Sequence, residues 1–331
     1  MSVDIEDLKL IAKKLTSDFE FYREQRVFIT GGTGFFGKWL LESFIYLNEV
    51  HSLNVSVTIL SRSPSKFKRD FPRLFNHKNF RFLQGDIRSV HDIKGSYDLI
   101  IHAATDVSTE LNKSNPELMR STIMDGAIKI CELAEKSNCK RILYTSSGAV
   151  YGPQPETMDK MSESFVNNPD FDFEDAYSSA KRESEKYFRY NSPCDIVIAR
   201  CFSFAGPYLP LNGTYAFGNF INDHVNKRDT VIKSDGSSLR SYMYSADLVI
   251  WLLRILSSGK NRDMYNVGSS SSISIKDLAE KISTTRVKVL GAKDNNKNRY
   301  IPSVEKARIE LDLKENYNIE QIINKTKAFY K

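Results

Sequence analysis

Apolar positions along the chain follow two rhythms. Near the start, Ile5, Leu8, Ile11 and Leu15 recur at helical spacing among charged neighbours. That spacing predicts an amphipathic helix over residues 4–22, docked on the main body as an N-terminal extension. Short, nearly unbroken apolar runs follow at Arg26-Val-Phe-Ile-Thr30, 55–60, 80–83, 99–101, 141–144 and 195–199, and each predicts a strand. Between them lie stretches with helical character at 35–47 and near 117–137 and 175–190. Ile142-Leu-Tyr144 lacks polar alternation, as strands covered on both sides do. The alternation of strand and helix predicts an α/β fold, a parallel sheet with helices on both faces.

After Arg200 the pattern changes. Gly206-Pro207-Tyr-Leu-Pro210 and Gly213 mark a break, and residues 201–236 read as loop-rich with one helix near 217–228. Residues 246–257 read as a helix, 264–267 as a strand, and 274–282 as a helix capped by Ser274. Internal repeats are absent, and the serine run at 269–272 reads as a loop.

Composition changes this picture little. At 331 residues, 41% hydrophobic and 27% charged, the chain suits one large α/β unit with an attached lobe, or two domains. The net charge of +6 is a mild excess. Its one cluster, Arg62, Lys66, Lys68 and Arg69, reads either as a solvated loop or as an attractor for a phosphate. The other basic residues are scattered without a recognition-helix or zinc-finger pattern, so no nucleic-acid partner is expected. Cys131, Cys139, Cys194 and Cys201 form no C-x-x-C pair, and no H-E-x-x-H is present, so no metal is expected. Few, unpatterned cysteines fit a reducing compartment. Residues 1–24 are charged throughout, without the apolar core of a signal peptide, and the run Leu248–Leu253 is too short to span a bilayer. A cytoplasmic location without membrane attachment is the resulting expectation.

The candidate chemistry starts at Thr30-Gly-Gly-Thr-Gly-Phe-Phe-Gly37, between the first strand and the first long helix. Gly31, Gly34 and Gly37 give the spacing G-x-x-G-x-x-G, with Thr33, Phe35 and Phe36 completing the turn. Glycines let backbone approach a pyrophosphate, and the helix start presents unpaired N–H groups to it. A dinucleotide cofactor, NAD or NADP, is therefore expected. Ser61-Arg62-Ser63 follows the second strand, where an NAD site places an acid on the ribose. No acid is present, and Arg62 suits the 2′-phosphate of NADP; otherwise it is a surface arginine. Gly85-Asp86-Ile87 reads either as a bracket for the adenine or as an ordinary turn. Tyr177-Ser-Ser-Ala-Lys181 places a phenol and an ammonium on one helix face. A free phenol ionises near ~10, and neighbouring positive charge favours phenolate, fitting Tyr177 as a general base. Ser147, with Ser146 as the alternative, ends a strand at the carboxyl edge of the sheet, where open α/β sheets bind ligands. Its hydroxyl can hold the reacting oxygen or simply form a turn.

These segments occur in order with His102-Ala103-Ala104 and Tyr151-Gly152 between them. The chain thereby resembles the extended short-chain dehydrogenase/reductase family, in particular its NAD-dependent epimerase/dehydratase group, over residues 26–330. The resemblance also draws on Arg200–Pro207, Arg240–Asp247, Tyr300-Ile-Pro302 and Lys306-Ala-Arg308. It implies a Rossmann doubly wound parallel sheet with a smaller C-terminal α/β lobe gripping a nucleotide diphosphate sugar. The implied division is an extension at 1–24, an NAD(P)-binding domain at 25–200 rejoined by 237–268, and a substrate lobe at 201–236 and 269–331. Ser147, Tyr177 and Lys181 become the catalytic trio. Ala103 and Ala104 join the cofactor site. Thr105 and Ser108 face the sugar, Ser203 lies by the substrate phosphate, Asn219 is near the base, and Arg240 forks onto the diphosphate. A homodimer through the helix carrying Tyr177 and the helix before it is also implied.

Three departures refine the expectation. Arg200-Cys-Phe-Ser203 replaces the family's Arg-x-Phe-Asn, and Ile123 replaces an asparagine three residues before Gly126. Gly148 and Ala149 stand where 4,6-dehydratases carry Asp-Glu and related decarboxylases carry Glu. Without those acids epimerisation and reduction are both favoured over dehydration, and because Ser-Ser-Gly-Ala-Val-Tyr-Gly resembles the epimerase subgroup the expected reaction is 4-epimerisation through a 4-keto sugar. The alternatives are an NADPH-dependent reductase of a 4-keto sugar, then a 4,6-dehydratase, then a non-catalytic Rossmann sensor. Arg240 weighs against a reductase of uncharged free substrates.

Overall fold

The computed structural model describes all residues except 1, 89–92, 105–111, 113, 166–174, 214 and 293–297. Its centre is a sheet of seven strands: β1 (Arg26–Thr30), β2 (Ser56–Ser61), β3 (Phe80–Gln84), β4 (Leu99–His102), β5 (Arg141–Ser147), β6 (Asp195–Cys201) and β7 (Asp263–Val267). Their spatial order is β3-β2-β1-β4-β5-β6-β7, and every pair is parallel. This is the doubly wound order, with the crossover between β1 and β4.

Each strand's two faces are apolar because both are covered. Val27, Ile29, Ile101, Leu143 and Val197 pack with Trp39, Leu40 and Phe44 of a helix at Phe35–His51, and with Leu248, Trp251 and Leu252 of another at Ser245–Ser258. Phe28, Ile100, Ile142, Tyr144, Ile196 and Ile198 face the other way, toward Ala127 and Ile130 of a helix at Pro116–Lys136 and Phe188 of one at Ala176–Asn191. With the N-terminal helix Ile5–Lys14, these five are named α1 (Ile5–Lys14), α2 (Phe35–His51), α3 (Pro116–Lys136), α4 (Ala176–Asn191) and α5 (Ser245–Ser258).

Several boundaries differ from the sequence reading. The strand expected at 141–144 runs on to Ser147, because Thr145, Ser146 and Ser147 stay in register with Ala199, Arg200 and Cys201. Backbone pairing overrides their weak apolar pattern. The single helix expected over 4–22 stops at Lys14, and a 3-10 turn (Thr16–Asp18) and a short helix (Phe19–Tyr22) follow. The turn directs the buried carboxylate of Asp18 inward, to Arg254 Nε at 2.8 Å. The basic residues Lys66, Lys68 and Arg69 lie not on a loop but on a helix at Pro64–Asp70, which starts on proline and buries Phe67. Helices at Glu305–Leu311 and Ile319–Tyr330 were not foreseen. The second carries a capping box between Asn318 and Gln321, which the sequence does contain.

Beyond the main sheet, strand Leu239–Ser241 pairs with Ser272–Ser274 on one side and Arg299–Tyr300 on the other. Helix Ala216–Val225 ends earlier than expected, with Lys227 in the left-handed region just beyond it. The N-terminal segment is locked to these later parts. Asp7, 0% exposed, accepts from the hydroxyls of Tyr244 and Tyr317, each at 2.7 Å, and pairs with Lys325 at 2.8 Å. A buried carboxylate with three donors is costly to break, since its removal strands all of them. Asp7→Ala is expected to lower unfolding stability by about 3 kcal/mol. Urea titration should show a lower midpoint at unchanged m.

Candidate active site

The site sits where β1 and β4 end. Thr30 Oγ1 lies 2.7 Å from His102 Nδ1 and accepts from the Ala104 N–H at 3.1 Å. That tie holds the Ala103 carbonyl against Gly31, whose φ is +75° and where an added Cβ would lie 2.5 Å from that oxygen. At Gly37 a Cβ would fall 2.3 Å from Gly32 Cα, so the first turn of α2 presses on the glycine loop. Gly34 is the N-cap of α2 and gives it no side-chain cap. The loop thus leaves a shallow backbone cradle over a helix N-terminus, which fits a pyrophosphate. Thr33, Phe35 and Phe36 are half-buried beside it, and the Phe36 ring meets Phe204 edge-on at 5.0 Å.

Arg62 follows the end of β2 and is exposed, and its positive charge acts on Asp86. The Asp86 carboxyl is held below its ordinary range chiefly by Arg88, which grips it at 2.8 and 3.1 Å. Ile87 is buried against Gly126. These residues border the cradle on the β2–β3 side.

The hydroxyl trio assembles at the end of β5. Asp175 caps α4 by accepting from the Ser178 N–H at 2.9 Å. Two residues on, the Tyr177 phenol lies near enough to Ser147 for the serine hydroxyl to favour its ionised form. Ser147 Oγ also lies 3.5 Å from Tyr300 Oη and accepts from the Ala149 N–H at 3.2 Å. Ser146 Oγ, by contrast, is buried with no hydrogen-bond partner. One helical turn after Tyr177, Lys181 donates to the Thr145 carbonyl at 2.8 Å and lies over the Tyr144 ring at 4.6 Å and the Tyr177 ring at 6.0 Å.

Burial dominates the electrostatics. It pushes the Tyr177 phenol well up, partly offset by the Ser147 hydroxyl. Lys181 is brought down to about 7 by burial. His102 falls to about 3 through burial and the charge of Lys181, so its imidazole is neutral at pH ~7.

Two residues the sequence reading did not assign complete the arrangement. Tyr300 pairs in register with Arg240 and sets its ring 4.7 Å from that of Phe202, tilted by 36°. A Cβ at Gly148 would lie 2.7 Å from both Phe202 Cζ and Tyr300 Oη, so those rings fill the space a side chain there would need. Asn112 accepts from the Tyr177 backbone N–H at 3.0 Å and donates to Asp175 at 3.3 Å, fixing the start of α4. The segment Tyr300-Ile-Pro302 was visible in the sequence; Asn112 carried no pattern.

The remaining expected positions are scattered around this centre. Arg240 donates to the carbonyls of Leu239 and Asn298, is lowered by burial, and has no carboxylate ion pair among the described residues. Asn219 donates to the Gly213 carbonyl, and the Ser203 carbonyl accepts from the Met243 N–H. Thr105 and Ser108 lie outside the described residues. Ile123 is buried with Met119 and Ala180 where Tyr177 packs, an apolar support in place of the family's amide. Arg200 turns away to pair with buried Glu185 at 2.6 Å. Among the described residues no group of three or more His, Cys, Asp and Glu is placed to hold a metal, and no helix is long and apolar enough to cross a membrane.

The burial of Lys181 has a measurable consequence. Its folded value near 7 lies below the unfolded value of about 10.4. Between those two the unfolded chain binds more protons, so this group makes stability rise with pH there and lowers it below. Lys181→Met is expected to flatten that rise, as read by urea titrations of both proteins at about pH 7 and about pH 9.

The profile of the family described as "NAD dependent epimerase/dehydratase family" matches residues 27–268. UDP-glucuronic acid decarboxylase 4 of Arabidopsis thaliana is 26% identical over 268 residues, covering 78% of this chain but 57% of that protein. The chain therefore spans little more than half the length of that relative. Among solved structures, an epimerase from Methanothermobacter thermautotrophicus superposes with a TM-score of 0.80 at 23% identity, covering 96% of each chain. UDP-N-acetylglucosamine 4-epimerase from Methanobrevibacter ruminantium M1, solved with UDP-N-acetylmuramic acid, gives 0.79 at 22%, covering 93% of this chain and 98% of that one. With the family profile spanning most of the chain and the fold shared end to end, the chain belongs to the NAD-dependent epimerase/dehydratase family of extended short-chain dehydrogenases.

Proposed function

We propose that this chain is a nucleotide-sugar 4-epimerase that works through a 4-keto sugar with NAD or NADP held in the glycine cradle. In this reading residues 25–200 and 237–268 hold the dinucleotide, 201–236 and 269–331 hold the sugar nucleotide, and two copies pair through α3 and α4. A nicotinamide dinucleotide bound there supplies the hydride acceptor and donor. Tyr177 takes the proton from the sugar C4 hydroxyl, and Ser147 holds the same oxygen by hydrogen bond. In its protonated form Lys181, one turn away, favours the phenolate that burial disfavours. Arg240 supplies a guanidinium fork for the diphosphate. The 4-keto sugar then rotates to present its other face for reduction, and Tyr177 gives the proton back to the C4 oxygen.

The observation that carries the choice of reaction is the packing at Gly148. Phe202 and Tyr300 occupy the space beyond it, and Ala149 follows, so neither position directly after Ser147 offers an acid to remove water or assist loss of a carboxyl group. Epimerisation needs no such acid. One observation favours a second reading: Arg62, with no acid at the end of β2, suits the 2′-phosphate of NADP and hence a 4-keto-sugar reductase.

Denaturing the purified protein and identifying released nucleotides, then offering a panel of nucleotide sugars to the native protein, separates the two. The epimerase predicts retained dinucleotide and isomerised sugar without net cofactor turnover. NADPH consumption with a 4-keto sugar would overturn it. Tyr177→Phe is expected to lower kcat by about 10²–10⁴-fold with little change in nucleotide-sugar binding, measured by steady-state kinetics and calorimetry.

A further inference from the structure

The sheet brings together thiols that the sequence keeps far apart. Cys139 lies just before β5 and Cys194 just before β6. Arg141 and Asp195 are partners in the first rung of that parallel pair. Each cysteine is therefore within two residues of the same rung, and both side chains pack on the same apolar layer, with Ile142 and Ile196. Cys139 is buried, its Sγ 3.3 Å from the Arg141 carbonyl and 3.5 Å from that of Asp98. Cys194 is partly exposed between exposed Asn191 and Pro193 on one side and β6 on the other, with Ser192 Oγ 4.0 Å from its Sγ.

The surroundings divide the labour between the two. The Cys139 thiol, then the Ser192 hydroxyl and the Arg141 guanidinium, favour the thiolate at Cys194, whereas the Cys139 thiol is held well up by the same contact and by burial. The partly exposed member is the one that ionises, the pattern of an attacking and a resolving cysteine.

We propose that Cys139 and Cys194 form a redox-modification site, closing to a disulfide when the chain meets a small-molecule disulfide. The Cys194 thiolate attacks one sulfur of the oxidant and expels its other half as a thiolate. Cys139 then loses its proton to solvent and attacks the Cys194 sulfur, expelling the second half. Two electrons pass from the cysteine pair to the oxidant, which leaves as two thiols. The new bond ties the leading ends of β5 and β6 and encloses the stretch carrying Ser147, Tyr177 and Lys181. It lies at the end of β5 opposite Ser147, a full strand of seven residues away. It therefore constrains the catalytic segment without entering the site.

Purified, fully reduced protein treated with oxidised glutathione and digested without reductant tests this. The expected result is a Cys139–Cys194 peptide pair lighter by two hydrogens than the free thiols, an upward shift in Tm, and reversal of both by dithiothreitol. The pair and the shift should vanish in Cys194→Ser and persist in Cys131→Ser, whose thiol is also near Cys194. Cys194→Ser lies at a partly exposed position, so the control does not depend on the buried Cys139→Ser variant folding. Glutathione retained on Cys194, a Cys131–Cys194 link, or two unmodified thiols would each overturn the proposal.

Discussion

The contact between Thr30 and His102 is the constraint on which the site depends. It joins β1 to β4 at the rung where the chain leaves the sheet on both strands. With that rung fixed, the Ala103 carbonyl fills the space beside Gly31, and the glycine loop can take only the course that sets α2 behind the cradle. The bond is buried, so its strength is little diluted by water, and His102 is kept neutral by the same burial. A charged imidazole there would oppose Lys181. The neutral ring instead stacks at 5.4 Å on Tyr144, whose ring also faces the Lys181 ammonium.

A second constraint follows from placing an ammonium in the interior. Lys181 is 1% exposed and is held by a carbonyl and a ring face. Burial lowers its proton affinity toward neutrality while raising that of Tyr177, so one cause pushes both groups toward their neutral forms. The apolar group at Ile123 adds to this by packing where Tyr177 lies, rather than offering it a polar partner. Elsewhere the chain spends its buried charges in neutralised clusters: Asp7 with Lys325 and two tyrosines, Asp18 with Arg254, and Glu185 with Arg200. Those clusters stitch the N-terminal segment and the helices to the sheet.

Legibility in the sequence varied with the range of the interaction that decided each feature. The strand Arg26–Thr30 and the Ser274-capped helix were readable because apolar runs and a cap residue act over a few residues. How far β5 stays paired was less so, since Thr145–Ser147 are polar and their ladder partner is β6. Lys66, Lys68 and Arg69 read as solvated loop because their charge outweighs one buried ring, Phe67. Tyr300 became a site residue through strand pairing with Arg240, a contact between parts of the chain far apart in sequence.

Local chemistry thus lay in the sequence by itself: the glycine spacing, the Tyr177 and Lys181 pair on one helix face, the serines at a strand end, and the absence of an acid after Ser147. Each depends on spacing within a turn or two of backbone, which residue order fixes. Tertiary structure alone decided which serine meets Tyr177, that Phe202 and Tyr300 close the space at Gly148, that Asn112 holds the start of α4, and that Cys139 meets Cys194. Those outcomes depend on register between strands and on burial, quantities set by the whole packed chain rather than by any segment of it.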